Sequence, residues 1–201
     1  MYIESAAQLR ALYGHPKWLA KDKQLDALEG HSINFIAHSP LVIISSRSKT
    51  GSADCSPRGG EPRFVEVLSQ NCLLLPDGKG NNRLDSLVNI VETGDVGCLF
   101  LIPSMDETLR VNGVARISTA AEHLSLFADY ANPPKSCIEV SIKKVFLHCA
   151  KALMRSQRWA VSSKIGRGTF PSIGKMINDQ LSLKQPVESQ ADMLLRYQQD
   201  L

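Results

Sequence analysis

A short basic loop with two glycines, at the start of residues 76–90, carries the residue types of an anion-binding site. The segment reads PDGKGNNRLDSLVNI, in which Lys79 and Arg83 supply positive charge. Gly78 and Gly80 let the backbone approach a ligand closely, because glycine adopts positive φ without steric cost. A helix that begins directly after the loop would add unpaired N–H groups and the positive end of its dipole. The loop therefore predicts a phosphate site; the alternative is a solvated turn with two surface cations.

The residues after this loop have the periodicity of an amphipathic helix. A helix that starts near Asn82 would bury one apolar face, because its apolar residues recur at i, i+3, i+4 and i+7. These residues are Leu84, Leu87, Val88 and Val91. Either Asn81 or Asn82 is the expected N-cap, since a short polar side chain accepts hydrogen bonds from first-turn N–H groups.

Residues 54–64 and 148–159 also combine basic residues with hydroxyl groups or glycines. The first segment reads DCSPRGGEPRF, and its proline followed by two glycines predicts a tight turn that presents Arg58. The second reads HCAKALMRSQRW and contains His148 and Cys149 side by side. A metal site needs three or four converging ligands, and residues adjacent on a strand point to opposite faces. Neither a metal site nor a Cys–His catalytic pair is therefore expected there.

Short strands dominate the rest of the chain. Six runs rich in Val, Ile, Leu and Phe are separated by Gly, Pro, Asn and Asp, a pattern that predicts the strands of a barrel. The expected strands span residues 41–45, 64–68, 72–75, 96–102, 108–118 and 137–147. The expected helices span residues 5–13, 22–37, 83–93 and 120–130, and the tail from residue 172 onward. Residues 157–171, which precede that tail, are rich in Ser, Gly and Arg and predict a linker.

The bulk composition fits one soluble domain with a substantial core. The 201 residues are 43% hydrophobic and 21% charged, which excludes a disordered chain. A net charge of +3 is only mildly basic, so no nucleic-acid partner is expected. The five cysteines are odd in number and form no CxxC pair, which favours reduced, buried thiols in the cytoplasm. No signal peptide or membrane-spanning run is visible, so no membrane partner is expected either.

Four segments, taken in their order and spacing, resemble a subgroup of FMN-binding split-barrel proteins related to pyridoxamine 5'-phosphate oxidase. They are residues 54–64, 76–87, 96–119 and 148–159. The resemblance covers about residues 9–159 and implies a mainly β fold with flanking helices, built as a six-stranded antiparallel split β-barrel. Helices in residues 1–40 would lie on a barrel core formed by residues 41–159. Residues 160–201 would add a loop and a C-terminal helical extension.

The resemblance also implies a homodimer that binds two FMN molecules at the subunit interface, each contacted by both chains. An FMN phosphate requires guanidinium, ammonium, hydroxyl and backbone N–H groups. Arg83 is the expected main phosphate ligand, beside Lys79. Ser86 stands where related enzymes often carry a lysine, so the phosphate cage cannot be identical. The full set of expected cofactor ligands is Ser56, Arg58, Pro76, Asp77, Lys79, Arg83, Ser86, Thr108, Arg110, His148 and Lys151.

The resemblance implies different roles for these ligands. Thr108 aligns with a position that hydrogen-bonds the isoalloxazine ring, and the main chain at residues 76–77 would meet the pyrimidine edge. Arg110 would lie near flavin N1 and O2 and stabilise the reduced flavin, or it would pair with an acidic residue of the preceding turn. His148 or Lys151 would contact the cofactor or substrate at the second flavin face of the dimer.

The function that the resemblance implies is that of an FMN-binding flavoprotein, a flavin-dependent oxidoreductase that acts on an unidentified small molecule. NADH and NADPH are candidate reductants. Oxidation of pyridoxamine phosphate itself is not expected, because the tail lacks a counterpart of the family's substrate-phosphate residues. The alternatives are a split-barrel reductase that uses a deazaflavin or acts on a haem-like or quinone substrate, a non-enzymatic flavin binder, carrier or sensor, and a phosphate-liganded regulatory module without flavin.

Overall fold

Seven antiparallel strands form a single sheet in the computed structural model, which describes residues 2–200. In chain order they are β1 (Leu41–Arg47), β2 (Ala53–Gly59), β3 (Glu66–Ser69), β4 (Cys72–Pro76), β5 (Asp95–Leu101), β6 (Thr108–Ser118) and β7 (Cys137–His148). Across the sheet the order is β2-β1-β5-β6-β7-β4-β3. The expected mainly β class and split-barrel architecture are confirmed, but the sheet has seven strands rather than six.

The additional strand is β2, which lies where the sequence predicts a turn around Pro57. Pro57 pairs with Ile43 of β1, and β2 has no neighbour on its other side. An edge strand tolerates proline because the missing N–H need not cost a ladder hydrogen bond. The expectation that Arg58 is presented from a tight turn is therefore wrong, since it lies within this strand.

Eight α-helices flank the sheet within residues 2–200. They are α1 (Ala6–Tyr13), α2 (Trp18–Asp22), α3 (Gly30–His38), α4 (Asp85–Thr93), α5 (Ala121–Leu124), α6 (Lys151–Ser156), α7 (Ile173–Gln180) and α8 (Gln190–Gln198). The single helix expected over residues 22–37 is wrong, because α3 begins only at Gly30. The Glu29 carboxylate caps α3 by accepting hydrogen bonds of 2.7 Å from the N–H groups of His31 and Ser32. None of the described helices is long and apolar enough to cross a membrane.

Alternate residues of the strands fill the barrel interior. The core also receives side chains from α3 and α4, and its fully buried members include Ile36, Val42, Ile44, Phe100, Leu109, Val111, Ile138 and Val145. A second, smaller cluster lies on the other side of β4, where Leu74 and Phe127 meet Cys137. The apolar run of β4 is therefore buried on both faces of the sheet.

The cysteines differ in burial. All five are free thiols; Cys98 and Cys137 are buried, and burial raises the pKa of Cys98 to about 12. Cys55 and Cys149 are exposed. The expectation of buried thiols is therefore wrong for these two.

Gly113 lies where β6 and β7 shift register, and it directly faces the backbone of β7. A Cβ at this position would lie 2.3 Å from the Ser141 carbonyl oxygen and 3.0 Å from Val140 Cγ1. We expect Gly113→Ala to destabilise the protein by about 1–3 kcal/mol, because the opposing backbone cannot retreat without weakening the ladder. Urea unfolding measures the effect, and Gly166→Ala is the control, since nothing lies within 4 Å of its Cβ position. Equal midpoints for the two variants would contradict the close approach.

Candidate functional site

Four side chains form a hydrogen-bonded chain, here called the hydroxyl chain, between β2 and α4. Arg58 donates through Nη1 to Ser56 Oγ at 2.9 Å, and Ser86 Oγ donates to Asp54 Oδ2 at 2.8 Å. The two serine oxygens lie 2.8 Å apart. Each hydroxyl has one proton, and that of Ser86 goes to Asp54, so Ser56 must donate to Ser86. The chain therefore runs from a cation to an anion with every donor pointing the same way, which strengthens each bond.

Strand alternation explains why these residues meet α4. Asp54, Ser56 and Arg58 are half-buried on the side of β2 that α4 covers, whereas Cys55 and Pro57 between them are exposed. The sequence prediction brought Ser56, Arg58 and Ser86 to one place, and the structure does so through this strand rather than through a turn.

Arg58 also reaches the far side of the barrel. Its Nε lies 3.8 Å from Oδ1 of Asp77, which directly follows β4, and both side chains are 22% exposed. Four strands separate β2 from β4 in the sheet order, so this ion pair bridges the split of the barrel. Burial raises the pKa of Asp77, and the charge of Arg58 partly opposes that rise.

The helix α4 begins at Asp85, and no side chain caps its first turn. Leu84, at the N-cap position, has a left-handed φ of 62°. Asn82 is also left-handed, and Asn81 Oδ1 accepts a hydrogen bond of 3.1 Å from the N–H of Arg83, one residue before Leu84. The predicted helix start near Asn82 and the asparagine cap are therefore wrong, because the chain turns once more before the helix.

The polar side of α4 faces the sheet. Ser86, Asn89 and Ile90 are buried, and Asn89 Nδ2 donates to Ser46 Oγ at 3.0 Å. The expected buried face is mostly exposed, with Val91 74% accessible; of the predicted residues Leu84, Leu87, Val88 and Val91, only Leu87 contacts the core. The prediction is wrong because buried hydrogen bonds, rather than apolar periodicity, orient this helix.

The two loop cations expected to hold a phosphate are both paired with carboxylates. Arg83 Nε donates to Asp85 at 2.8 Å, and Lys79 pairs with Asp200, which follows α8. The side chains of Lys79 and Arg83 are 61% and 73% exposed, against 22% for Arg58. Arg58 is therefore more enclosed than either loop cation.

Three predicted residues lie on the opposite face of the sheet. Thr108 and Arg110 alternate with two core residues of β6, Leu109 and Val111, so their side chains point away from the barrel core. His148 pairs with Thr108 across the β6–β7 ladder. Across the sheet, Ser56 is aligned with core residues of β1, β5 and β6, so its side chain lies on the core side. The hydroxyl chain and this second group therefore lie on opposite faces of the sheet and do not meet within one subunit.

The second group is arranged around the ring of Phe146. Arg110 Cζ lies 3.8 Å from the ring centre, the His148 ring centre lies 4.7 Å away, and Lys23 Nζ lies 5.6 Å away. Burial lowers the pKa of His148, and the charges of Arg110 and Lys23 lower it further.

Two remaining predicted residues lie outside both groups. Pro76 is buried at the end of β4, opposite Cys137, and Lys151 is the exposed first residue of α6. Within residues 2–200, no group of three or more His, Cys, Asp and Glu side chains is placed to hold a metal ion.

The sequence analysis missed Asp54 and Lys23. Asp54 has a local signal, because it lies two residues before Ser56 on a strand and so shares its face. Lys23 has no such signal, since an isolated bridge between Leu25 and Val145 brings its segment to β7.

The matching family model is described as pyridoxamine 5'-phosphate oxidase and covers residues 29–149 of this chain. That span is 121 of the 201 residues, more than half of the chain. No curated protein sequence matches the chain closely enough to count as a relative.

Solved structures share this fold. HupZ of Group A Streptococcus has a TM-score of 0.50 and 14% identity, over 60% of this chain and 93% of HupZ. A Lactobacillus delbrueckii protein provisionally assigned as a pyridoxamine 5'-phosphate oxidase has a TM-score of 0.50 and 17% identity, over 62% and 98% of the two chains. An FMN-binding protein of Syntrophomonas wolfei has a TM-score of 0.42 and 16% identity, over 58% and 81%. For the two structures with a TM-score of 0.50, the similarity at these identities shows the fold alone.

We expect Arg110→Gln to raise the pKa of His148 towards its ordinary value of 6.5, because one repelling charge is removed. The native pKa lies below that value, so between the two the unfolded chain binds more protons and stability falls as the pH falls. This acid-side loss should be smaller in Arg110→Gln. Histidine NMR titration and urea unfolding against pH measure both effects. Arg10→Gln, a change on α1, is the control, and an unchanged pKa of His148 in Arg110→Gln would refute the coupling.

Proposed function

Because this chain belongs to the pyridoxamine 5'-phosphate oxidase family, we propose that it binds FMN and acts as a flavin-dependent oxidoreductase on a small molecule. FMN would supply the redox chemistry, and the protein would supply binding, orientation and electrostatics. The observation that carries the proposal is the hydroxyl chain. It holds the half-buried guanidinium of Arg58 between β2 and the start of α4, beside Asp77 at the beginning of the glycine-containing loop.

Arg58 retains hydrogen-bond donors for a phosphate. Its Nη1 is used by Ser56 Oγ and by the carbonyl of Pro57, at 2.9 and 3.0 Å, whereas Nη2 makes no hydrogen bond within residues 2–200. Its Nε is 3.8 Å from Asp77, an ion-pair contact longer than a hydrogen bond. Nη2 and Nε form the edge of a guanidinium that binds an oxyanion through two parallel hydrogen bonds. This edge makes no hydrogen bond in the described residues and carries only the long contact with Asp77, which supports Arg58 as the central phosphate ligand.

The loop cations fit a supporting role. Lys79 and Arg83 are paired with Asp200 and Asp85, but exposed ion pairs of this kind contribute little to stability. A phosphate that carries close to two negative charges would therefore displace the carboxylates at little cost. The burial of Arg58 thus supports it as a stronger phosphate ligand than Arg83. The sequence analysis had ranked Arg83 first.

The placement of the two groups supports a homodimer with FMN at its interface. The sheet separates the hydroxyl chain from Thr108, Arg110 and His148, so one FMN cannot contact both groups of one chain. In a dimer, the hydroxyl chain of one subunit and the second group of the other would contact the same cofactor. The exposed apolar residues of α4, among them Val88 and Val91, are typical of surfaces that another protein chain covers.

We expect the purified protein to bind FMN and turn yellow, and Arg58→Ala to weaken FMN binding about tenfold to a hundredfold, the loss typical of a charged hydrogen bond. Lys79→Ala and Arg83→Ala should weaken it less, because both side chains are exposed and paired. Flavin fluorescence titration measures the dissociation constants. Arg47→Ala is the control, since this arginine pairs with Asp95 away from the loop.

A clean preparation that stays colourless with excess FMN would refute the cofactor assignment. Stopped-flow reduction of the flavin by NADH or NADPH, followed by reoxidation with oxygen, separates an enzyme from a binder. A protein that holds FMN but shows neither step would be a flavin carrier or sensor.

Mixing two defective variants tests the shared site. We expect Arg58→Ala and Arg110→Gln each to bind FMN weakly alone. In a mixed dimer one site carries both defects and the other carries none, so random subunit exchange should restore tight binding at about a quarter of all sites. Sites formed within one chain would show no recovery, and light scattering that finds a stable monomer would also exclude the shared site.

A further inference from the structure

The guanidinium of Arg110 has no hydrogen bond or ion pair within residues 2–200, and its Nε is buried. An unpaired buried donor destabilises the folded protein, and more so when the group is charged. The acidic residues of the preceding turn, Asp106 and Glu107, form no ion pair with it in the described part of the chain. The contact that holds the guanidinium is the Phe146 ring. A buried Nε with no acceptor indicates a ligand.

Two more nitrogen groups face the same ring. Lys23 Nζ donates one hydrogen bond of 2.6 Å to the carbonyl of Leu147, which leaves two of its three N–H donors free. The His148 imidazole, 4.7 Å from the ring centre of Phe146, makes no hydrogen bond within residues 2–200. Within the same residues, no carboxylate forms an ion pair with Lys23, Arg110 or His148. The cluster therefore presents donors and positive charge without an acceptor.

The charge state of the cluster follows from its surroundings. Burial and the neighbouring cations lower the pKa of His148, so at neutral pH its ring is uncharged and donates one N–H. Arg110 and Lys23 then carry the two full positive charges. A bound anion would satisfy the free donors and offset the repulsion between these cations.

We propose that Lys23, Arg110 and His148 bind the carboxylate of a small organic substrate on the outer face of β6 and β7. This inference rests on the proposed function, because the substrate would lie against the flavin that the same face contacts across the dimer. Arg110 would bind both carboxylate oxygens through Nε and Nη2, which leaves Nη1 for the flavin contact that the proposed function assigns to the same residue. Lys23 would contribute a point charge, and the His148 N–H would fix the orientation of the substrate.

A carboxylate suits this cluster better than a phosphate. The cluster has one guanidinium edge without an acceptor in the described residues, which matches two coplanar oxygens, and its Arg110 and His148 lie on β6 and β7. A phosphate offers a third oxygen and a second charge that these donors would satisfy less well. The site is therefore distinct in chemistry from the hydroxyl chain on the other face.

The test is calorimetric titration of the FMN-reconstituted protein with benzoate, with acetate and inorganic phosphate as comparisons. We expect one saturable benzoate site per chain, weakened about fivefold in Lys23→Gln and about tenfold or more in Arg110→Lys, which keeps the charge but loses the Nε donor. Lys21→Gln is the matched control, since it removes the same charge from α2, two residues before Lys23, the residue that follows this helix. Benzoate should also raise the pKa of His148 in an NMR titration.

Unchanged benzoate binding in Lys23→Gln and Arg110→Lys, or the absence of saturable binding in the wild-type protein, would overturn the inference. Phosphate that binds more tightly than benzoate and is lost in Arg110→Lys would overturn the carboxylate assignment. Flavin absorbance is recorded for every sample. A yellow protein without benzoate binding refutes this inference alone, whereas a colourless protein refutes the proposed function while the titration still reports on the anion site.

Discussion

The hydroxyl chain between Arg58 and Asp54 determines how α4 lies on the barrel. Its two serines come from different elements, β2 and α4, and each has its single proton committed. Rotating the helix to bury its apolar side would break the bonds of Ser86 and of Asn89 and leave their partners unsatisfied. Each buried polar group left unpaired costs about 1–3 kcal/mol, and the three partners Asp54, Ser56 and Ser46 together outweigh the gain from turning Val88 and Val91 inward. The buried polar side of α4 and its exposed apolar side thus both result from the hydrogen bonds of Ser86 and Asn89.

The hydroxyl chain also helps to close the barrel. Arg58 contacts Asp77 across the split, so the edge strand β2, the end of β4 and α4 converge on one guanidinium. The ion pair is partly enclosed, and each partner keeps additional polar contacts or solvent access, which limits the desolvation penalty that a fully buried pair would carry. Edge position also explains the tolerance of Pro57 in β2. The polar contacts of Arg58 therefore join the edge strand β2 to the end of β4.

The sequence predicted the strands better than the helices. Period-two alternation in β6 and the apolar runs of β1, β4, β5 and β7 depend on local patterning, and the structure keeps those strands within a few residues of the expected ranges. The start of α4 was misjudged because left-handed residues at Asn82 and Leu84 have no reliable sequence signal outside glycine. Its buried face was misjudged because periodicity does not reveal that a tertiary hydrogen-bond network overrides it.

Site residues were predictable where they share a short segment and not where distant segments meet. Ser56 and Arg58 lie on the same face of one strand, so identifying either residue in the sequence indicates the other. Lys23 joins Arg110 because residues 23–25 contact β7, which lies more than a hundred residues away in sequence.

The alternation that makes β6 recognisable also limits what one chain can do. Leu109 and Val111 must face the core, so Arg110 between them must face away from it, and no rotamer of Arg110 brings it to the hydroxyl chain through a closed sheet. A ligand that needs both groups therefore needs two copies of the sheet, each offering a different face. The exposed apolar side of α4 and the donors of Arg110, which find no acceptor within residues 2–200, are the two surfaces that the proposed second subunit and ligand would cover.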